Sequence, residues 1–429
     1  MSITGRVPLL LLAGVLPVVL RPHLGTAWMW IGLVLLVVVA DWALAPSPST
    51  LEVSRSSDSR VRLGEPAETT LTVTNTGRRR ARGVLRDAWQ PTAGATGNRH
   101  RLQLAPGDRT RLRTPLQPVR RGDLQAVGAT VRLLGPLGLA ARQRTRHVPG
   151  AIRSLPPFGS RKHLPSRLAR LRDLDGRSAV RVRAPGTEFD SLREYVRGDD
   201  VRSIDWRASA RNRNVVVRTW QPERDRRIVL VLDTSRTSAG RVADVPRLDS
   251  AMDAALLLAA LAARAGDRVD FLAGDRRVRS RLRLSGTDVV APLQDAMSGL
   301  VPIIAEADWS GLAGAITQLG RQRALVVLLT PLEPSAIEEG LLPVLPTLAR
   351  HHRVVVASVK DPALDEMVAS HEDIDEVYGA AAATQTLQRR RRTAEVLGAL
   401  GVEVVDADAD KLPPALADHY LMLKARGFL

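Results

Sequence analysis

Residues 227–237 read RIVLVLDTSRT: an apolar run, Arg227 to Leu232, that stops at Asp233 and carries hydroxyls at Ser235 and Thr237. An uninterrupted apolar run of this length, ended by turn-forming residues, predicts a strand buried on both faces. The same rhythm continues outward from it. Ser250 to Arg264 forms an alanine-rich apolar helix, Arg268 to Leu272 a strand, Ala324 to Thr330 (ALVVLLT) and Arg353 to Val359 (RVVVASV) two more buried strands, and Val402 to Val405 a last one. Strands alternating with helices predict an α/β domain: a Rossmann-type, mostly parallel sheet covered on both faces, with ligand sites outside the carboxyl ends of its strands. Neither GxGxxG nor GxxxxGK[ST] follows Leu232, which argues against a dinucleotide-dependent enzyme and a P-loop ATPase. Asp233, Ser235 and Thr237 make an oxygen-only set that suits a hard cation such as Mg²⁺. Asp and Ser are also ordinary turn residues at strand ends.

Upstream the pattern changes. Residues 50–148 break into short alternating strands separated by turns (Thr69 to Thr74, Arg101 to Leu104, Thr110 to Leu116, Ala126 to Leu134), which predicts an all-β, immunoglobulin-like sandwich. Residues 149–180, with Pro156-Pro157 and Pro165, read as a linker, and residues 181–429 as the α/β domain with a charged lead-in segment. Residues 1–46 hold two apolar runs, Val7 to Leu20 and Leu24 to Ala45, separated by Arg21-Pro22-His23. They predict a transmembrane helical hairpin of two spans rather than a cleaved signal peptide, with Trp28, Trp30 and Trp42 at the interfaces and Asp41 reaching the headgroups. Arg6, Arg55, Arg60 and Arg62 flank the spans against Arg21 alone in the loop, so the expected arrangement is a multi-pass cell-membrane protein with both termini cytoplasmic.

Composition sets further bounds. The 429 residues, 45% hydrophobic and 25% charged, suffice for two or three domains with cores of their own. With no cysteine, disulfides, thiolate metal sites and cysteine nucleophiles are excluded. The net charge of +17 raises nucleic acid as a partner, but aromatics at 3% leave little for base stacking, and no nucleic acid is expected. Membrane lipid is the expected counterpart, each near-surface arginine contributing ~1 kcal/mol beside an anionic bilayer. Arg78-Arg79-Arg80 reads as a solvated loop, and Arg389 to Arg392 as the exposed face of a long helix, with an acidic partner or anionic lipid as the alternative. His351-His352 reads as a helix end where a cation meets the negative dipole.

These residues also carry a family resemblance. DTSRT at 233–237 resembles the DxSxS loop of the metal-ion-dependent adhesion site in von Willebrand factor A domains, with threonine in the last place. Residues 186–200 (GTEFDSLREYVRGDD) and 202–211 (RSIDWRASAR) resemble the signature of the membrane proteins called domain of unknown function 58. So do Arg121-Gly122, Gly135-Pro136-Leu137-Gly138-Leu139 and the tail Tyr420 to Gly427. The resemblance covers nearly the whole chain. It implies a membrane-anchored, non-enzymatic scaffold or adaptor that binds a protein partner through its A-type domain. It also implies work with a MoxR-type AAA+ ATPase on assembly or activation of an unidentified client complex.

Carried over, the metal set is Asp233, Ser235, Thr237 and, from Ser285-Gly286-Thr287, Thr287, holding Mg²⁺ or Mn²⁺. The third loop departs from the pattern: Pro331 stands where A domains place an acid, leaving Glu333 two residues on, so weak binding is expected. The signature supplies Gly186, Glu188, Phe189, Leu192, Arg193, Tyr195, Gly198, Asp199, Arg202, Asp205, Trp206, Ser209 and Arg211. Arg193 or Arg202 pairing with Asp199 or Asp205 would fix the loop, and the apolar members, with Ile204, would bury one side against the sheet. A partner-binding surface is the alternative. Two further readings have different consequences: an extracytoplasmic adhesion or cell-wall assembly factor, and a hydrolase using Glu188 or Asp199, which needs a pocket and shifted pKa values.

Overall fold

In a computed structural model that describes all residues except 1, 58–59, 182–187, 197–198, 212–213, 222–225, 243, 321 and 429, and no side chains at 175–181, 188–191 and 219–221, the chain divides into two units, Met1–Leu155 and Pro156–Leu429.

The first unit begins with β1 (Ser2–Ile3) and three apolar helices, α1 (Arg6–Ala13), α2 (Val15–Leu20) and α3 (Leu24–Leu44). At 1.5 Å per residue the 21 residues of α3 extend about 31 Å, the depth of a bilayer's hydrocarbon core. It is the one helix among the described residues long and apolar enough to cross a membrane; the Arg6–Leu20 segment is shorter. Pro17 has no N–H for the carbonyl of Ala13, so the first apolar run breaks into two pieces at Gly14. The break is used in packing. A Cβ at Gly14 would come within 2.2 Å of the Trp30 ring, whose Nε1 donates to Leu10 O at 3.0 Å. Trp30 therefore packs the helices together, while Trp28 stays exposed.

The strands that follow are β2 (Leu51–Ser57), β3 (Arg60–Arg62), β4 (Ala67–Asn75), β5 (Ala81–Trp89), β6 (Arg99–Leu104), β7 (Arg109–Leu116), β8 (Gly122–Leu134), β9 (Ala140–Arg146) and β10 (Ala151–Leu155). One sheet is β2-β4-β7; the other runs β1-β9-β8-β10-β3, with β5 on β8 and β6 on β5. Alternate residues of β4 and β5 are buried, so Leu51, Leu71 and Val73 of one sheet meet Leu85, Leu102 and Val131 of the other. Arg55, counted above among the flanking cations, is instead buried in this sandwich: it holds Asp87 bidentately at 3.0 and 2.6 Å and lies over the Trp89 ring. The expected linker is also corrected. Residues 151–155 complete the first unit as β10, antiparallel to β8, and 164–181 form a helix, because Ile152 fills the sandwich and Leu171 the next core.

The second unit comprises α4 (Leu164–Arg181), β11 (Glu188–Glu194), α5 (Trp206–Ser209), β12 (Val216–Gln221), β13 (Arg227–Asp233), β14 (Arg241–Val242), β15 (Val245–Pro246), α6 (Arg247–Arg264), β16 (Arg268–Gly274), β17 (Val278–Leu284), α7 (Val290–Ser298), α8 (Trp309–Leu319), β18 (Leu325–Leu329), α9 (Pro334–Ala336), α10 (Leu345–His351), β19 (Arg353–Lys360), α11 (Ala363–Ala369), α12 (Ile374–Ala399), β20 (Glu403–Asp408) and α13 (Leu412–Ala425). Its main sheet has the order β17-β16-β13-β18-β19-β20, parallel except for β17. Residues of β13 alternate between two cores. Leu230 and Leu232 face α6 and α13 (Leu257, Tyr420), while Val229 and Val231 face α8 and α10 (Ile316, Leu348). Both faces are covered, which is why the strands read as continuous apolar runs. The order places β13 centrally, beside the point where connections reverse direction, and the crevice there is where a doubly wound sheet takes ligands.

Candidate functional site

Asp233 ends β13 at that crevice. It is 1% exposed, and its neighbours are hydroxyls and one amide. Oδ1 accepts from Ser235 N at 2.8 Å, and Oδ2 accepts from Thr237 Oγ1 at 3.1 Å and Thr330 Oγ1 at 2.7 Å. Ser235 Oγ and Thr237 Oγ1 lie 3.0 Å apart. The loop is held from both sides: Arg236 N donates to Ala305 O, Thr234 N to Gly274 O, and Thr234 Oγ1 to Asp275, which also receives Arg279. Burial pushes the Asp233 carboxyl above the usual carboxylate range, against the amide and hydroxyl bonds, which favour its charged form. Asp233, Ser235 and Thr237 border a cleft of about 380 Å³ with Thr330, Glu306 and Trp309. Arg236 pairs with Glu306 at its rim. A larger hollow of about 670 Å³, lined by Arg353, Glu403 and His419, lies at the opposite end of β19 and β20 and brings no comparable set together.

Two expectations about this site are corrected. Thr287 does not join it. β17 runs antiparallel, with Leu284 opposite Val269, so the loop after it lies at the end of the sheet where β13 starts, about 16 Å of strand from Asp233. The third loop does contribute, through Thr330, one residue before Pro331. Its hydroxyl takes the position next to the carboxylate, and Glu333 turns away to Arg247 at 3.3 Å. The missed signal was the last letter of ALVVLLT: a hydroxyl where the strand leaves the sheet. Among the described residues no group of three or more His, Cys, Asp and Glu could hold a metal. What fits a hard cation is one carboxylate with the Ser235, Thr237 and Thr330 hydroxyls, all oxygen, opening on a cleft with room for water.

The signature segment stands apart from this cleft. β11 pairs antiparallel with β12 in a sheet of their own. Gly186 and Gly198 lie outside the described residues, as do the side chains of Glu188 and Phe189. Arg193 grips Asp199 at 2.8 and 2.6 Å, and Asp199 also accepts from Val196 N, so the loop is tied by ion pairing. Asp205 pairs with Arg218, not Arg202, and accepts the amides of Arg207 and Ala208 as the cap of α5; these bonds hold its carboxyl below the usual range. Ser209 Oγ accepts from Val216 N at 2.9 Å, and Arg202 and Arg211 are exposed. The expected burial against the main sheet does not occur. Leu192 is 41% and Trp206 67% exposed, and Tyr195 is half-buried, because the strand pairing of the segment, the β11–β12 hairpin and a bridge from Ile204 to Val217, stays within its own small sheet.

Two further readings change. Arg390 is buried, donating to Asp406 at 2.7 Å and Ser358 at 3.1 Å, while Arg389, Arg391 and Arg392 face solvent. His352 is no cation at a helix end: it is buried, accepts from Ala324 N through Nδ1, and burial lowers its pKa.

An α/β unit with a buried acid at the carboxyl end of its central strand is the class that fold and site define. Residues 191–396 match the family described as protein of unknown function DUF58, which supports the resemblance over that segment. No curated protein matches the chain. Among solved structures it is similar to the CARDB domain of a Pyrococcus furiosus protein in complex with di-metal ions (13% identity, 27% of this chain and 91% of that one, TM-score 0.20). It is also similar to a FixG-related protein from Vibrio parahaemolyticus (15% identity, 24% and 96%, TM-score 0.18). Likenesses this slight bear on no function of this chain.

Proposed function

We propose that the chain is a membrane-anchored, non-enzymatic scaffold that captures a protein partner at the Asp233 cleft. The observation that carries this reading is the buried carboxylate ringed by Ser235, Thr237 and Thr330 at the mouth of an open crevice. In this reading the second unit is von Willebrand factor A-like and the sandwich of the first is immunoglobulin-like. Asp233 and the three hydroxyls hold Mg²⁺ or Mn²⁺ weakly, since one carboxylate compensates poorly for dehydrating the ion, and a carboxylate of the partner completes the shell. The length and exposed apolar surface of α3 support anchoring in a cell membrane, with both termini cytoplasmic. The resemblance carried by the signature residues implies a MoxR-type AAA+ ATPase as the partner, with assembly or activation of a client complex as the task, and the match over residues 191–396 supports that resemblance. The engagement of both Asp199 oxygens by Arg193 and a backbone amide speaks against acid–base work by Asp199.

The test is affinity purification of the full-length protein from native membranes, with and without Mg²⁺, beside Asp233→Ala. Recovery of an AAA+ ATPase with the wild type and cation only is the expected result. Equal recovery with Asp233→Ala would remove the cleft from the interface, and absence of any ATPase would refute the partnership.

A further inference from the structure

The base of the apolar helices is ringed by guanidinium groups. Asp41, near the end of α3, is buried and spends its carboxylate on the amides of Leu137, Leu139 and Ala140. The arginines around it therefore find backbone carbonyls instead. Arg142 donates to Trp42 O at 3.1 Å and Ala43 O at 3.2 Å and lies over the Trp42 ring; Arg79 donates to Leu44 O at 2.9 Å. Arg6 reaches Leu137 O and Arg132 reaches Ile3 O. Arg78 and Arg80 flank Arg79 and are exposed. Among the described residues none of these six arginines forms an ion pair with a carboxylate. The other end of the helices, Arg21-Pro22-His23, carries a single arginine. The run Arg78–Arg80, which reads in sequence as a solvated loop, is thus brought by folding to the level where α3 ends.

We infer that this guanidinium collar binds the phosphate headgroups of anionic phospholipid at the membrane surface from which the β-sandwich emerges. The inference rests on α3 being a membrane anchor. Capping the last carbonyls of α3 occupies one edge of Arg79 and Arg142, and the remaining N–H groups of these forks, with the whole of Arg78 and Arg80, stay open. A planar fork suits phosphate oxygens, and an uncompensated cluster beside an apolar helix end is where an anionic headgroup gains most.

The experiment uses the full-length protein in mild detergent with equimolar phosphatidylglycerol and phosphatidylcholine, counting retained lipids by native mass spectrometry. The wild type should retain phosphatidylglycerol several-fold over phosphatidylcholine, and R78Q/R80Q, which leaves both capping arginines in place, should lose at least half of that preference. Equal retention of the two lipids by the wild type, or an unchanged preference in R78Q/R80Q, would overturn the inference. So would displacement of the lipid by inorganic phosphate at constant ionic strength, which would mark a free-anion site. Carbonate extraction from vesicles of either lipid tests the anchor separately: release from both would remove the anchor reading, and the inference with it.

Discussion

Asp41→Ala should uncouple the end of α3 from the sandwich. The Asp41 carboxylate accepts three backbone amides, Leu137 at 2.7 Å, Leu139 at 2.8 Å and Ala140 at 2.9 Å, and two of these bonds are fully buried. Each buried donor left without a partner costs roughly 1–3 kcal/mol. With water reaching the half-exposed Leu137 amide, the expected loss is about 2–5 kcal/mol, a large share of the 5–15 kcal/mol by which a domain is usually stable. Asp41→Asn should fall between: its carbonyl oxygen replaces one acceptor, but its NH₂ faces an amide that also donates. Close fit leaves no room to relax, since a Cβ at Gly135 would lie 2.4 Å from the Asp41 carboxyl carbon. The assay is hydrogen exchange on the detergent-solubilised full chain, with thermal unfolding alongside. Protection should drop at residues 137–140, most at 139 and 140, and remain in β4 and β7. Unchanged protection in Asp41→Ala would refute the argument that this carboxylate fastens the helix to the turn.

Arg55→Ala strands the Asp87 carboxylate in the sandwich with only the Trp89 indole and should cost about 3–5 kcal/mol; a loss of unfolding free energy below about 1 kcal/mol, from urea unfolding of the detergent-solubilised full chain, would contradict it. Thr330→Val removes the hydroxyl on Asp233 Oδ2 while keeping its shape, so unfolding of the α/β unit should come about 1–3 kcal/mol earlier and any stabilisation by Mg²⁺ should shrink; an unaltered response to Mg²⁺ would take Thr330 out of the donor set. Burial lowers the pKa values of His100, His352 and His419, so the unfolded chain takes up protons first as pH falls through about 6.5. The histidine contribution to stability should therefore be full above that pH and decline below it until the lower folded values are reached, read as the difference between wild type and His352→Gln; a difference that stays constant between pH 8 and 5 would exclude this.

The α/β order was legible because burial on both faces leaves its mark in sequence: RIVLVL, ALVVLLT and RVVVASV admit few other readings. Asp233, Ser235 and Thr237 were legible because they are adjacent in the chain and end such a run. Thr330 was not, since its role depends on β18 lying beside β13, a pairing across about a hundred residues that no local pattern records. Thr287 fails for the same reason in reverse: its local motif was right in type, but the antiparallel direction of β17 carries it to the far end of the sheet. Charge was the least legible property. Arg55 and Arg390 read as surface residues and are buried in ion pairs, while the run Arg78–Arg80 reads as an ordinary loop and comes to lie at the end of α3. Apolar periodicity reports a residue's own burial, and so sequence alone determined the buried strands of the α/β unit and its class. A charge is settled by whichever group the fold brings opposite it, and that only the tertiary structure decided.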